Sequence, residues 1–245
     1  MKARAKSKIR LGVNIDHAAT LRQVRGGTTQ YPDLVEITKT VKKAGAKQIT
    51  IHLREDRRHI QDHDVTRLTK NRLLEINLEM AATAEMQTIA IKHKPDWVCL
   101  VPEKRHELTT EGGLDLLSRK AELKEYIAVL NKKNILVSVF IDPDLEQVAV
   151  AADIGAQACE FHTGHWVTAQ GAEKTKIWNK LIAAANFAQV NGIIVNAGHG
   201  LDYQHAKAIK KLPHLNEVNI GHSIICYALT AGIGPVVKKF IQILK

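Results

Sequence analysis

A chain of 245 residues with 45% hydrophobic content is long enough to bury one large α/β core. It has no apolar run near the roughly 18–20 residues needed to span a bilayer. The formal charge of +10 suits nucleic acid or small anions, but aromatics at 4% and lysines spread over several helices argue against a nucleic-acid face.

Residues 1–8 read as a solvated basic arm, since Ile9–Ile15 is too short and too polar for a signal segment. The first strand pattern covers 9–15. Asn14, Asp16 and His17 stand at its carboxyl end, and Arg22 and Arg25 lie in the loop beyond, beside Gly26-Gly27. A helix pattern over 32–44 stops at Gly45-Ala46. In the second strand, 48–53, Ile49, Ile51 and Leu53 alternate with Gln48, Thr50 and His52. It runs straight into Arg54, Glu55, Asp56, Arg57, Arg58 and His59, after which Asp62 can cap a helix over 62–73. The third strand, 75–79, ends in Glu79, and a helix follows over 83–93. The fourth, 97–101, leads to Pro102, Glu103, Lys104 and Arg105, with a helix over 114–133. The fifth, 135–141, ends at Asp142 and precedes a helix over 144–153. The sixth, 157–162, carries Glu160 and His162 and precedes a helix over 172–191. The seventh, 193–196, ends in Asn196 before Gly198-His199-Gly200 and a helix over 202–211. The eighth, 217–220, carries Asn219, then Gly221-His222 opens a helix over 222–244.

Eight strand–helix units are the count of a (β/α)₈ TIM barrel, here as a single domain over 9–245 with no linker dividing it. A doubly wound sheet is the alternative, disfavoured because no G-x-G-x-x-G follows the first strand. In parallel α/β folds the carboxyl ends of the strands face the ligand, and here those ends collect carboxylates, histidines and arginines.

Each candidate has a plain structural reading beside its chemical one. Glu79 ends an apolar strand. It is either a general base, raised by burial but lowered by nearby Arg54 so that it is mainly ionised at neutral pH and able to accept a proton, or a structural ion-pair partner of Arg54. His52 is equally a catalytic or a satisfied core histidine. His199 sits in AGHG, where glycines admit close approach of a ligand, or is a turn histidine. His17 can cap or pack the first turn, and Asn14 and Asn219 can serve the barrel's own hydrogen bonds. Gly221-His222 at a helix start is a phosphate site in physical terms, or a tight turn. Arg25 can clamp a phosphate with its planar fork. Thr109–Gly113 reads as a capping box or a lid.

Several chemistries lack their residues. H-E-x-x-H is absent, no H-x-H follows the first strand, and His162-Thr-Gly-His165 has no evident third ligand, so no metal is expected. G-x-S-x-G is missing, and no strand ends in the lysine that a Schiff-base aldolase needs. Cys99, Cys159 and Cys226 are odd in number and widely spaced, which fits reduced thiols in the cytoplasm. A different phosphosugar isomerase or aldolase on the same barrel, or a basic nucleic-acid-binding protein, are the competing classes.

The segments GVNIDHAATLRQVRG, ITIHLREDRRHI, NLEMA, CLVPEKR with TTEGGLD, EFHTG, VNAGHGL and NIGH, in this order, closely resemble the pyridoxine 5′-phosphate synthase family. The likeness runs from about Leu11 to the last helix. It implies a (β/α)₈ barrel with extra helices, assembled as a homo-octamer. The implied reaction condenses 3-amino-2-oxopropyl phosphate with 1-deoxy-D-xylulose 5-phosphate to pyridoxine 5′-phosphate, phosphate and water, with no cofactor. It also implies catalytic roles for His52, Glu79 and His199, and transition-state stabilisation by Glu160. Asn14, Gly200, Gly221 and His222 would hold the amino-ketone phosphate. Asp16, His17, Arg54, His59 and Thr109 would hold the deoxyxylulose phosphate, and Arg25 would add a further contact. Trp166 stands where the family has a tyrosine, and the loop GGTTQYPD is a little long.

Overall fold

The computed structural model describes residues 8–103 and 112–245. The arm up to residue 7 and Thr109 lie outside the described residues.

Eight parallel strands close in chain order into a barrel. They are β1 Arg10–Asn14, β2 Gln48–His52, β3 Glu75–Met80, β4 Trp97–Leu100, β5 Leu136–Ile141, β6 Ala158–His162, β7 Ile194–Gly198 and β8 Leu215–Ile220. The helices are α1 Asp16–Gln23, α2 Leu34–Ala44, α3 Asp62–Asn71, α4 Ala84–His93, α5 Lys120–Asn131 and α6 Leu145–Asp153. They continue with α7 Gly164–Thr168, α8 Gly171–Val190, α9 Tyr203–Ile209, α10 His222–Ala231 and α11 Ile233–Leu244. Among the described residues no helix is long and apolar enough to cross a membrane. The three cysteines are free, Cys99 and Cys159 buried and Cys226 exposed.

The alternation in the strands sets which side is which. Ile49 and Ile51 of β2, Ile76 and Leu78 of β3, and Val137 and Val139 of β5 all join the large apolar core. That core lies between barrel and helices. The other face of each strand turns inward, where apolar packing shrinks to Cys99, Val101 and Phe140. Polar side chains fill the rest and most of them pair with one another, Asn77 Oδ1 being an exception. Thr50 Oγ1 donates to Asn219 Oδ1 (3.0 Å), Gln48 Nε2 to Glu217 Oε1 (2.6 Å), and Asn219 Nδ2 to Glu160 Oε2 (2.7 Å).

The structure departs from the sequence reading in several places. The segment after β1 is a helix, α1, because Ala18, Ala19 and Arg22 form a buried face. The N-cap of α3 is Gln61, which forms a reciprocal capping box with Asp64. Asp62 is instead the first helical residue and pairs with Arg57 (3.0 Å). The helix after β4 begins only at Lys120. The last helix is two, parted at Gly232, whose φ of +76° a side-chain-bearing residue rarely adopts. Pro235 sits in the first turn of α11, where its missing N–H costs nothing.

Trp166 is buried, with its ring 5.3 Å from that of Trp178 and 5.5 Å from that of His205. The indole therefore fills the space between α7, α8 and α9.

Candidate active site

A cavity of about 370 Å³ opens at the carboxyl end of the barrel. Asn14, His17, Glu79, Glu160, His199, Gly200, Asn219, Gly221 and His222 line it together with Val101 and Phe140. Residues singled out from the sequence thus converge on one concave space from five strands and the segments after them.

On the β2–β3 side, His52 and Glu79 are register partners on adjacent strands. His52 Nδ1 stands 3.8 Å from Glu79 Oε2, and its Nε2 is 2.8 Å from Glu103 Oε1. Asp16 holds the strand end: its Oδ1 accepts from the His52 backbone N–H (2.8 Å) and its Oδ2 from Asn14 Nδ2 (2.7 Å). Burial pushes the Glu79 carboxyl well above the usual carboxylate range, and the negative charges of Glu160 and Asp16 push it the same way. The ion pair with Arg54, the alternative reading, is not formed. Arg54 Nε faces Asp56 Oδ1 at 3.4 Å, so among the described residues no arginine or lysine draws Glu79 back toward ionisation.

On the β6–β7 side, burial likewise raises Glu160, against the hydrogen bond from Asn219. Gly198 makes room for this carboxyl, since a Cβ there would sit 2.0 Å from Glu160 Oε1. His199 has a φ of +80° beside Gly200. Burial, then the neighbouring His162, His165 and His17, hold its pKa down at about 4, so it is neutral at physiological pH before an anion arrives. Burial lowers His17 and His59 as well. The His17 and His222 rings meet edge to face at 5.0 Å.

Gly221 is the N-cap of α10, and Gly221, His222 and Ser223 all line the cavity. The first N–H groups of a helix have no intrahelical partner, and the dipole favours an anion there. Arg25 is exposed in the segment after α1 and is not among the residues lining this cavity.

The sequence reading passes over Glu103 as a site residue, although it stands in the charged run after β4. Its side chain keeps only 4% exposure. Burial works against its charge, but the hydrogen bond from His52 and that from the Glu55 N–H (3.0 Å) hold it below the usual range. It is therefore an ionised carboxylate that fixes the His52 ring. We expect Glu103→Gln to lower kcat by up to about 10²-fold, the scale of a misplaced group, with little change in KM, and Glu103→Ala to do worse. Steady-state kinetics on both variants checks this, and parent-like kcat in both would leave Glu103 as an anchor for the Glu55 backbone only.

The raised Glu160 has a consequence for stability. Its folded pKa of about 8 exceeds the ordinary 4.5, so the contribution is fully present below about 4.5 and is lost as pH rises through about 8. Glu160→Gln removes the charge and keeps an acceptor for Asn219. Its Tm should match the parent's at about pH 4 and exceed it by several degrees at about pH 9. A Tm difference independent of pH would show that the carboxylate is not held against its charge.

The chain matches the model of the PdxJ family, described as pyridoxal phosphate biosynthesis protein PdxJ, over residues 11–245. Pyridoxine 5′-phosphate synthase of Bdellovibrio bacteriovorus is 58% identical over 98% of this chain and 100% of that one. That of Thioalkalivibrio sulfidiphilus is 51% identical over 94% of this chain and 93% of that one. Among solved structures, KGPDC from Streptococcus mutans superposes with a TM-score of 0.60 at 15% identity, covering 97% of this chain and 98% of that one. That last likeness is one of fold alone. With the family model spanning nearly the whole barrel, the chain belongs to the PdxJ family and is an enzyme of the pyridoxine 5′-phosphate synthase type, acting in vitamin B6 biosynthesis.

Proposed function

We propose that this cavity condenses 3-amino-2-oxopropyl phosphate with 1-deoxy-D-xylulose 5-phosphate, and that the residues around it divide the work as follows. Asn14, Gly200 and the α10 N-terminus at Gly221-His222 receive the amino-ketone phosphate. His17, Arg54 and His59, on the Asp16 side, receive the deoxyxylulose phosphate. The observation that carries this reading is that Glu79, backed by His52 and Glu103, shares one cavity with the Glu160–Asn219 pair and a helix N-terminus, although His52 and Glu103 do not themselves line it.

Imine formation, phosphate loss, ring closure and dehydration each move protons. A carboxyl raised by burial and an imidazole 3.8 Å away can pass one proton between them and to the substrate. His199 is neutral in the free protein, and an arriving phosphate favours its charged form, so substrate binding itself would arm it as a donor. Asn219 orients the Glu160 carboxyl, and developing positive charge in the condensing intermediates would favour the ionised form that burial otherwise disfavours.

The homo-octamer and residence in the cytoplasm are part of this proposal and rest on the family resemblance. Mixing the purified chain with the two phosphates should give pyridoxine 5′-phosphate by mass spectrometry, from a particle sedimenting at the mass of eight copies. No product from the two together would overturn the assignment of the reaction, and a smaller particle would overturn the octamer.

A further inference from the structure

The pair His162 and His165 gains in three dimensions the partner that the sequence does not show. Asp142 comes from the end of β5, next to β6, and its Oδ1 lies 3.2 Å from His162 Nδ1. One ligand atom from each of Asp142, His162 and His165 falls within 4.8 Å of the others. A tetrahedral ion with bonds of roughly 2.0–2.1 Å sets its ligands about 3.3 Å apart, so the Asp142–His162 edge already has the right length. We propose that Asp142, His162 and His165 form a binding site for a divalent transition-metal ion of the zinc class.

The site is built on fixed supports. Asp142 Oδ2 accepts the Gly113 N–H (3.1 Å), which orients the carboxylate and leaves Oδ1 for an ion. The His162 ring is buried, with Phe140 edge-on at 5.3 Å and His199 at 5.1 Å. His165 is the second residue of α7, with its ring 4.9 Å from that of His162, and it is the exposed ligand through which an ion would enter. Two imidazoles and one carboxylate suit Zn²⁺, Co²⁺, Ni²⁺ or Cu²⁺ and not the all-oxygen preference of Mg²⁺ or Ca²⁺. Three protein ligands leave a position open to water.

The same geometry ties the site to the reaction centre. Gly164 is where His162 and His199 crowd together: a Cβ there would meet His162 Nε2 at 2.6 Å and His199 Cδ2 at 2.9 Å. An ion that draws His162 toward Asp142 and His165 would shift the ring against which His199 packs, so occupancy should slow turnover. This second claim rests on the reading of His199 given above, whereas the binding claim does not.

The full-length chain, stripped of metal and titrated with zinc chloride alone, should take up one ion in the site by calorimetry. Binding should weaken at least about tenfold in His165→Ala and in Asp142→Asn. Cobalt(II) chloride should give visible absorption of tetrahedral intensity that both variants lose, and magnesium should not compete. Zinc should inhibit the parent and not His165→Ala, each compared with its own metal-free turnover. His52→Asn guards against the other convergent group, Asp16, His52 and Glu79. No saturable binding, or binding lost in His52→Asn and kept in His165→Ala, would overturn the site. Binding that behaves as proposed with unchanged turnover would refute only its coupling to His199.

Discussion

Glu79→Gln is expected to fold, to bind both phosphates, and to lose on the order of 10²–10⁴ in rate, the scale of a removed acid–base group. The carboxyl stands at the end of β3 with 16% of its side chain exposed, at the mouth of the cavity, and its near partner is His52 Nδ1 at 3.8 Å. Burial and the charges of Glu160 and Asp16 raise it, which suits a group that takes and releases a proton during the reaction. Glutamine keeps size and polarity and removes that exchange. Among the described residues no arginine or lysine loses its partner in the variant, because Arg54 is turned to Asp56, so the fold should not suffer. His52→Asn should fall similarly. The double variant should lose less than the sum of the two if both residues serve one proton transfer. Single-turnover kinetics at saturation is the measurement. A Glu79→Gln rate within a few-fold of the parent would remove Glu79 from the chemistry.

Asp64→Ala should cost about 3–5 kcal/mol of stability, the penalty for stripping one partner from a buried ion pair. Arg22 in α1 and Asp64 in α3 meet side by side, with Arg22 NH1 donating to Asp64 Oδ1 at 2.8 Å. Their side chains keep 5% and 1% exposure. Alanine leaves a guanidinium buried without its counter-charge. It also removes the acceptor for the Gln61 N–H at the start of α3 (2.9 Å). The pair itself contributes less than its loss would suggest, because burying both charges is costly. The double variant Arg22→Met with Asp64→Leu should therefore recover most of the deficit. Urea unfolding of the three proteins checks this, and a single-variant loss below about 1 kcal/mol would show that water reaches the stranded guanidinium. The effect would reach the active site as well, since α1 carries Asp16 and His17 and has Arg22 as its anchor to α3.

Strand alternation and turn chemistry were enough to place eight parallel strands and to group the polar residues at one end. The reason is topological. In a closed parallel barrel every carboxyl end faces the same way, so a residue just past a strand is on the rim whatever its neighbours are. Asn14, Glu79, Glu160, His199 and Gly221 therefore share a cavity without any contact having been foreseen. The pairings among them were decided only by distance across the barrel. Glu79 had Arg54 as a plausible partner in the sequence, but adjacent register gives it His52. Glu103 looked like one charge in a run until its carboxylate was found against His52 Nε2. His162 and His165 lacked a third ligand because Asp142 is 20 residues before His162 and adjacent only through β5 and β6. Local pattern fixes where a side chain leaves the backbone; which group it meets depends on strands brought together by closure, and only the folded barrel supplies that.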